Sequence, residues 1–124
     1  MRILLDTNIL LRLGDKVHPM HATATAAINA LDYAGHVSVL VPQVLYEYWV
    51  VATRPVAVNG LGMAPALTDQ VVSKWLAVYP LLRDERRVFE NWRDLVNVYQ
   101  VKGKNAHDTR LVAAMRRHTE FRIS

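Results

Sequence analysis

The chain has no cysteine, which removes disulfide frameworks, thiolate metal centres and thiol nucleophiles at one stroke. Any metal must then be held by oxygen or imidazole. No apolar run approaches the roughly 18 residues of a membrane span. The stretch before Asp6 is also too short for a signal-peptide core. These absences lead us to expect a soluble, cytoplasmic protein with no membrane partner. Glycine-rich phosphate cradles are missing too, because neither G-x-x-x-x-G-K-[ST] nor G-x-G-x-x-G occurs. Repeats, linkers and low-complexity tracts are lacking, so residues 1–124 read as a single domain, long enough to bury one core without staples.

What is present is ordinary globular composition, 52% hydrophobic and 21% charged, well away from the balance of disordered chains. The charge is unevenly spread. Ten of the 15 Lys and Arg and six of the 11 acids lie from Arg83 onward, so the C-terminal third carries the whole net charge of +4. A polyanion such as RNA would be drawn to that end.

Arg2-Ile-Leu-Leu before Asp6 predicts a buried parallel strand. Thr7 to Leu13 predicts a short helix closed by Gly14, and Ala22, Ala26, Ala27, Ala30 and Leu31 give a longer one stopped by Gly35. Val37–Val41 predicts a second strand, and Pro42 opens a helix lined by Val44, Leu45, Tyr48, Val51 and Ala52. After a loop over residues 56–65, a helix from about Thr68 presents Val71, Val72, Trp75, Leu76 and Tyr79. Pro80-Leu81-Leu82 is a short candidate strand. A helix from about Asp84 carries Val88, Trp92, Leu95, Val96 and Tyr99 to Gly103, and a last one runs from about Asn105 to His118 before an extended Phe121-Arg122-Ile123. Strands alternating with helices imply an α/β domain with a parallel sheet, since parallel neighbours need crossovers.

Three acids stand where solvation alone does not explain them. Asp6 ends the first strand, where open parallel sheets gather ligand-binding groups, although it could equally cap the helix that follows. Glu47 shares the helical stripe of Val44 and Val51, where a lone carboxylate calls for a partner, a proton or a cation unless it reaches solvent at the edge of the stripe. Asp108, in the first turn of the last helix, precedes Leu111, Val112 and Met115 by three, four and seven positions and is expected to face inward. Its place also suits an acid that only complements the helix dipole. Converging carboxylates raise each other's pKa or require a cation, and for a cation an all-oxygen set selects Mg²⁺ or Mn²⁺.

Asp6-Thr7-Asn8 after Ile-Leu-Leu, Glu47 in Pro-Gln-Val-Leu-Tyr-Glu, and Asn-Ala-His-Asp108-Thr-Arg-Leu-Val-Ala-Ala-Met together resemble the PIN domain family, especially the VapC-type toxins of toxin–antitoxin pairs. The resemblance runs in order along essentially the whole chain. It implies a three-layer α/β/α sandwich around a parallel sheet, and a metal-dependent endoribonuclease that hydrolyses RNA and pairs with a cognate antitoxin. By matching position, Asp6 and Asp108 would be the principal Mg²⁺ or Mn²⁺ ligands and catalytic acids, with Glu47 ligating directly or through water. Thr7 and Asn8 would orient these carboxylates. Lys102, Lys104 and Arg110 flank the third acid as candidate RNA-phosphate contacts. His107 reads as a packed or solvated side chain before a ligand or proton carrier, and Trp49, Trp75 and Trp92 as core before base-stacking surfaces.

The resemblance has a gap. Family members continue past the last helix into a strand, a fourth acid and a closing strand, whereas Ser124 follows directly on Phe121-Arg122-Ile123. The expectation is a PIN-like domain lacking the last strand, with a weakened second metal position and an open sheet edge that favours a homodimer. The corresponding alternative is a catalytically impaired fold that binds an antitoxin or RNA. Other phosphate chemistries fit less well. An aspartyl-nucleophile phosphatase wants an Asp two positions after Asp6, where Asn8 stands, and a receiver domain wants paired acids before its acceptor.

Overall fold

A computed structural model describes residues 1–83, 86–103, 105–118 and 121–123, with side chains for all of these except 86, 87, 114–118 and 121–123. Three parallel strands form its sheet: β1 (Arg2–Leu5), β2 (Val37–Val39) and β3 (Phe121–Ile123), in the order β2-β1-β3. Arg2 pairs with Val37 and Leu4 with Val39 on one side of β1, and Ile3 pairs with Phe121 and Leu5 with Ile123 on the other. Central β1 is buried on both faces, so Ile3, Leu4 and Leu5 are all apolar with no alternation. Pro80–Leu82 supplies a single parallel bridge instead of a strand. Leu40 donates its N–H to Pro80 and accepts from Leu82, which extends the sheet by one pair beyond β2.

Six α-helices occur among the described residues: α1 (Thr7–Leu13), α2 (His21–Tyr33), α3 (Pro42–Thr53), α4 (Pro65–Val78), α5 (Arg86–Val98) and α6 (Asn105–His118). The expected α/β class is what the chain adopts. Local chemistry sets several boundaries. Pro42 and Pro65 stand in the first turns of α3 and α4, where a missing N–H costs nothing, so α4 starts three residues before Thr68 and β2 stops short of Val41. Asp84, expected to open α5, lies outside the described residues.

The core gathers where β1, β2, α1 and α3 meet, around Leu4, Leu5, Leu10, Val39, Val44 and Tyr48. Three helices present faces that differ from expectation. In α2 the buried residues are Ala24 and Ile28, and Ala22, Ala26 and Ala30 are exposed, because alanine favours a helix on any side of it. In α4 Trp75 is buried and Val71, Val72 and Tyr79 pack against the core as expected, but Leu76 is exposed and Thr68 is buried on the same side. Tyr99, expected on the apolar face of α5, is exposed just past its end.

Burial raises the ionisation range of the Tyr48 hydroxyl, with a smaller contribution from the Asp15 charge, and burial followed by Asp32 does the same for Tyr79. A raised pKa in the folded state means that this stability is fully present below the ordinary tyrosine value of 10.0 and is lost as pH climbs through the folded values. The urea midpoint should therefore hold steady from pH 8 to about 9.5 and fall above about 10. Tyr48→Phe should flatten that alkaline fall, and an unchanged profile in Tyr48→Phe would count against the assignment.

Candidate active site

β1 delivers Asp6 to the C-terminal edge of the sheet, where its backbone is still extended (φ −79°, ψ 163°) and its side chain caps α1. Asp6 Oδ1 accepts from the Thr7 N–H at 2.8 Å, and the residue is only 7% exposed. The capping reading therefore holds, and it coexists with a position beside a second carboxylate. The Thr7 hydroxyl donates to Glu47 Oε2 at 2.5 Å, so one residue holds Asp6 through its amide and Glu47 through its side chain. α3 begins immediately after β2 at the same edge of the sheet and places half-buried Glu47 on its second turn. Neighbouring Asn8 is exposed.

Gln43 completes this arrangement, and residue-type reasoning passed over it. It is 7% exposed. Its Nε2 donates to Glu47 Oε1 at 3.1 Å and to the His107 carbonyl at 3.0 Å, and its Oε1 accepts from Arg110 Nη1 at 3.0 Å. A buried amide is costly unless satisfied, and here each end of the amide is engaged. The signal was present in the sequence as the i, i+4 spacing of Gln43 and Glu47, which puts both on one face of α3. Both oxygens of Glu47 thus accept a neutral donor, and the same amide ties α3 to the first turns of α6.

Asp108 departs from expectation. Its side chain is exposed, beside a cavity bordered by Leu95, Tyr99, Val101, Thr109 and Val112, and it does not face inward. The reason is the roll of α6. Ala106, Arg110 and Ala113 form the stripe turned toward the rest of the domain, with Leu111 beside it and Val112 exposed. α5 is tied to α6 where Trp92 Nε1 donates to the Ala106 carbonyl at 2.7 Å. Met115, the last residue of the expected face, has no described side chain. Among the described residues no group of three or more His, Cys, Asp and Glu is gathered closely enough to hold a metal ion. Asp6 and Glu47 are the acids brought together, through Thr7.

The donor chemistry of that pair suits a hard cation. Both groups are carboxylates, and Mg²⁺ commonly takes one or two protein carboxylates and fills its remaining positions with water and phosphate oxygens. Asp6 and Glu47 could supply those two. Of the candidate phosphate contacts, Lys102 and His107 are exposed, Arg110 is half-buried against Gln43, and Lys104 lies outside the described residues. Of the tryptophans, Trp75 is buried, Trp92 is half-buried and Trp49 is exposed. No helix among the described residues is long and apolar enough to cross a membrane.

No family model and no curated protein matches the sequence. Solved structures do. The chain aligns over its full length with 86% of a chain in the crystal structure of VapBC2 from Rickettsia felis bound to a DNA fragment from their promoter, at a TM-score of 0.72 and 12% identity. Over 98% of its length it also aligns with 89% of VapC20 of Mycobacterium tuberculosis, a sarcin-ricin loop cleaving toxin, at a TM-score of 0.64 and 19% identity. Likeness at such identities establishes architecture, and the architecture of this chain is the PIN-type fold of the VapC structures.

Proposed function

We propose that the chain is a metal-dependent endoribonuclease that acts as the toxin of a toxin–antitoxin pair, with Asp6 and Glu47 at the centre of its site. The observation that carries this reading is the Thr7 bridge, which joins two carboxylates at the edge of the sheet where α/β proteins gather their ligands. The cleaving neighbour and the VapBC assembly among the structural relatives support it. When bound, Mg²⁺ or Mn²⁺ would lower the pKa of a water and offset charge on the phosphate. Asp6 and Glu47 would hold the cation. Thr7 and Gln43 fix the two oxygens of Glu47, so that the carboxylate meets a cation without first giving up a rotamer. Asp108, one residue beyond the carbonyl that Gln43 holds, would join as a further ligand by turning its exposed side chain toward the pair.

The outward direction of Asp108 favours a second reading, in which this fold binds an antitoxin or RNA without cutting. Two measurements separate them. Mn²⁺ titration by calorimetry should show at least a tenfold loss of affinity in Asp6→Asn and in Glu47→Gln, and cleavage of a mixed-sequence RNA should fall about a hundredfold with each. Asp108→Asn should lower cleavage likewise. Equal cleavage by wild type and all three variants removes the assignment of the acids. Mn²⁺ affinity without any cleavage selects the binding module.

A further inference from the structure

Beside the carboxylate pair, α5 and α6 border an open groove of about 240 Å³ lined by Phe89, Trp92 and Arg110. The two rings stand 5.7 Å apart and 32° from parallel. Trp92 cannot turn freely, since its indole N–H is committed to the Ala106 carbonyl at 2.7 Å. Phe89, by contrast, leaves 58% of its surface in solvent. A large ring in water one turn from a pinned indole contributes little to the core. Arg110 lines the groove as well, and through Gln43 it is two hydrogen bonds from Glu47.

We propose that this groove is a nucleobase subsite in which one unpaired nucleotide of an RNA strand stacks on Phe89 and Trp92, with Arg110 facing its phosphate. The inference rests on the ribonuclease reading for the strand's destination, and on the groove alone for its chemistry. Aromatic platforms beside a guanidinium recognise single strands because every base offers a π face and every linkage a negative charge. Duplex bases are already stacked on one another and could not enter. Among the described residues the lining offers two aromatic rings and a guanidinium, a set that suits a planar base carrying a negatively charged linkage. The net positive charge of the C-terminal third also matches a polyanion.

Fluorescence anisotropy in EDTA tests the subsite with a labelled octaribonucleotide that cannot self-pair, with the same strand made abasic, and with its blunt duplex. Wild type should bind the strand about tenfold more tightly than either comparator. Phe89→Ala should bring strand affinity down to the abasic level with an unchanged melting temperature and unchanged Mn²⁺ affinity, and Phe89→Tyr should restore it. Equal strand affinity in wild type and Phe89→Ala, or equal affinity for the strand and its abasic form, overturns the subsite. The two readings fail separately. RNA cleavage that persists while Phe89→Ala binds normally removes only the subsite, and strand binding that depends on Phe89 in a protein that cuts nothing removes only the ribonuclease.

Discussion

Tyr48→Ala should lower the stability of the domain by about 3–5 kcal/mol, a large share of the roughly 5–15 kcal/mol that separates folded from unfolded in proteins of this kind. Tyr48 has no exposed surface and is the largest fully buried side chain among the described residues. Its ring meets Trp75 of α4 edge-on, with centroids 4.7 Å apart and planes at 72°, and its hydroxyl reaches Met63 Sδ at 3.9 Å. α1 ends against the same hydroxyl: a β-carbon at Gly14 would stand only 2.9 Å from it. One side chain therefore joins α1, α3, α4 and the segment before α4, and its removal leaves a cavity bordered by elements that cannot collapse together. Tyr48→Phe keeps nearly all of that contact and should cost less than about 1 kcal/mol, because the lost partner is only a thioether. Urea denaturation followed by circular dichroism measures both. Tyr48 also follows Glu47 directly on α3, so Tyr48→Ala should weaken Mn²⁺ binding as well, whereas a stability loss below about 1 kcal/mol would mean that α3 is held elsewhere.

The elements that the sequence reveals are those governed by local chemistry. β1 is visible as an unbroken apolar run, the starts of α1 and α3 as Asp6 and Pro42, and the end of α2 as Gly35, whose φ of +87° is a conformation that other residues resist. The order β2-β1-β3 follows from chain pairing over more than a hundred residues, and no window of sequence contains it. At the candidate site, the same distinction applies. Asp6 could be placed because a strand end is a local feature, and Glu47 because helical spacing puts it beside Val44. The direction of Asp108 could not be read from spacing, since a helical wheel says which residues share a face but not how the helix is rolled against its neighbours. α6 is rolled to bring Ala106 and Ala113 inward, so Asp108 and Val112 turn out. Gln43 escaped for a different reason. Its partners come from α3 and α6, and only the folded chain puts the His107 carbonyl and Arg110 against one amide.

Gly60→Ala should cost about 3 kcal/mol, an effect of space and not of backbone conformation. A β-carbon there would fall 1.8 Å from the Arg54 carbonyl oxygen and 2.3 Å from its carbon, and neither atom is the movable end of a side chain. The carbonyl is further held by the Gly62 N–H at 2.9 Å. Around it, Gly60 donates to Pro55, Leu61 to Val51 and Met63 to Ala52, so the chain from Arg54 to Met63 is strapped back onto the last turns of α3. Relieving the clash means releasing several of these bonds, each worth about 1 kcal/mol net, together with the contact of Met63 on Tyr48. Gly35→Ala provides the contrast. It has open space within 4 Å but a φ of +87°, and it should cost only about 1 kcal/mol. Hydrogen exchange should locate the difference, with the Leu61, Gly62 and Met63 amides losing protection in Gly60→Ala and keeping it in Gly35→Ala. A Gly60→Ala protein within 0.5 kcal/mol of wild type would show that the strap moves aside at little cost. Because the strap grips the C-terminal end of α3 and Glu47 stands nearer its start, Gly60→Ala should lower stability while sparing Mn²⁺ affinity below the melting transition. Loss of both together would mean that α3 transmits disorder along its whole length.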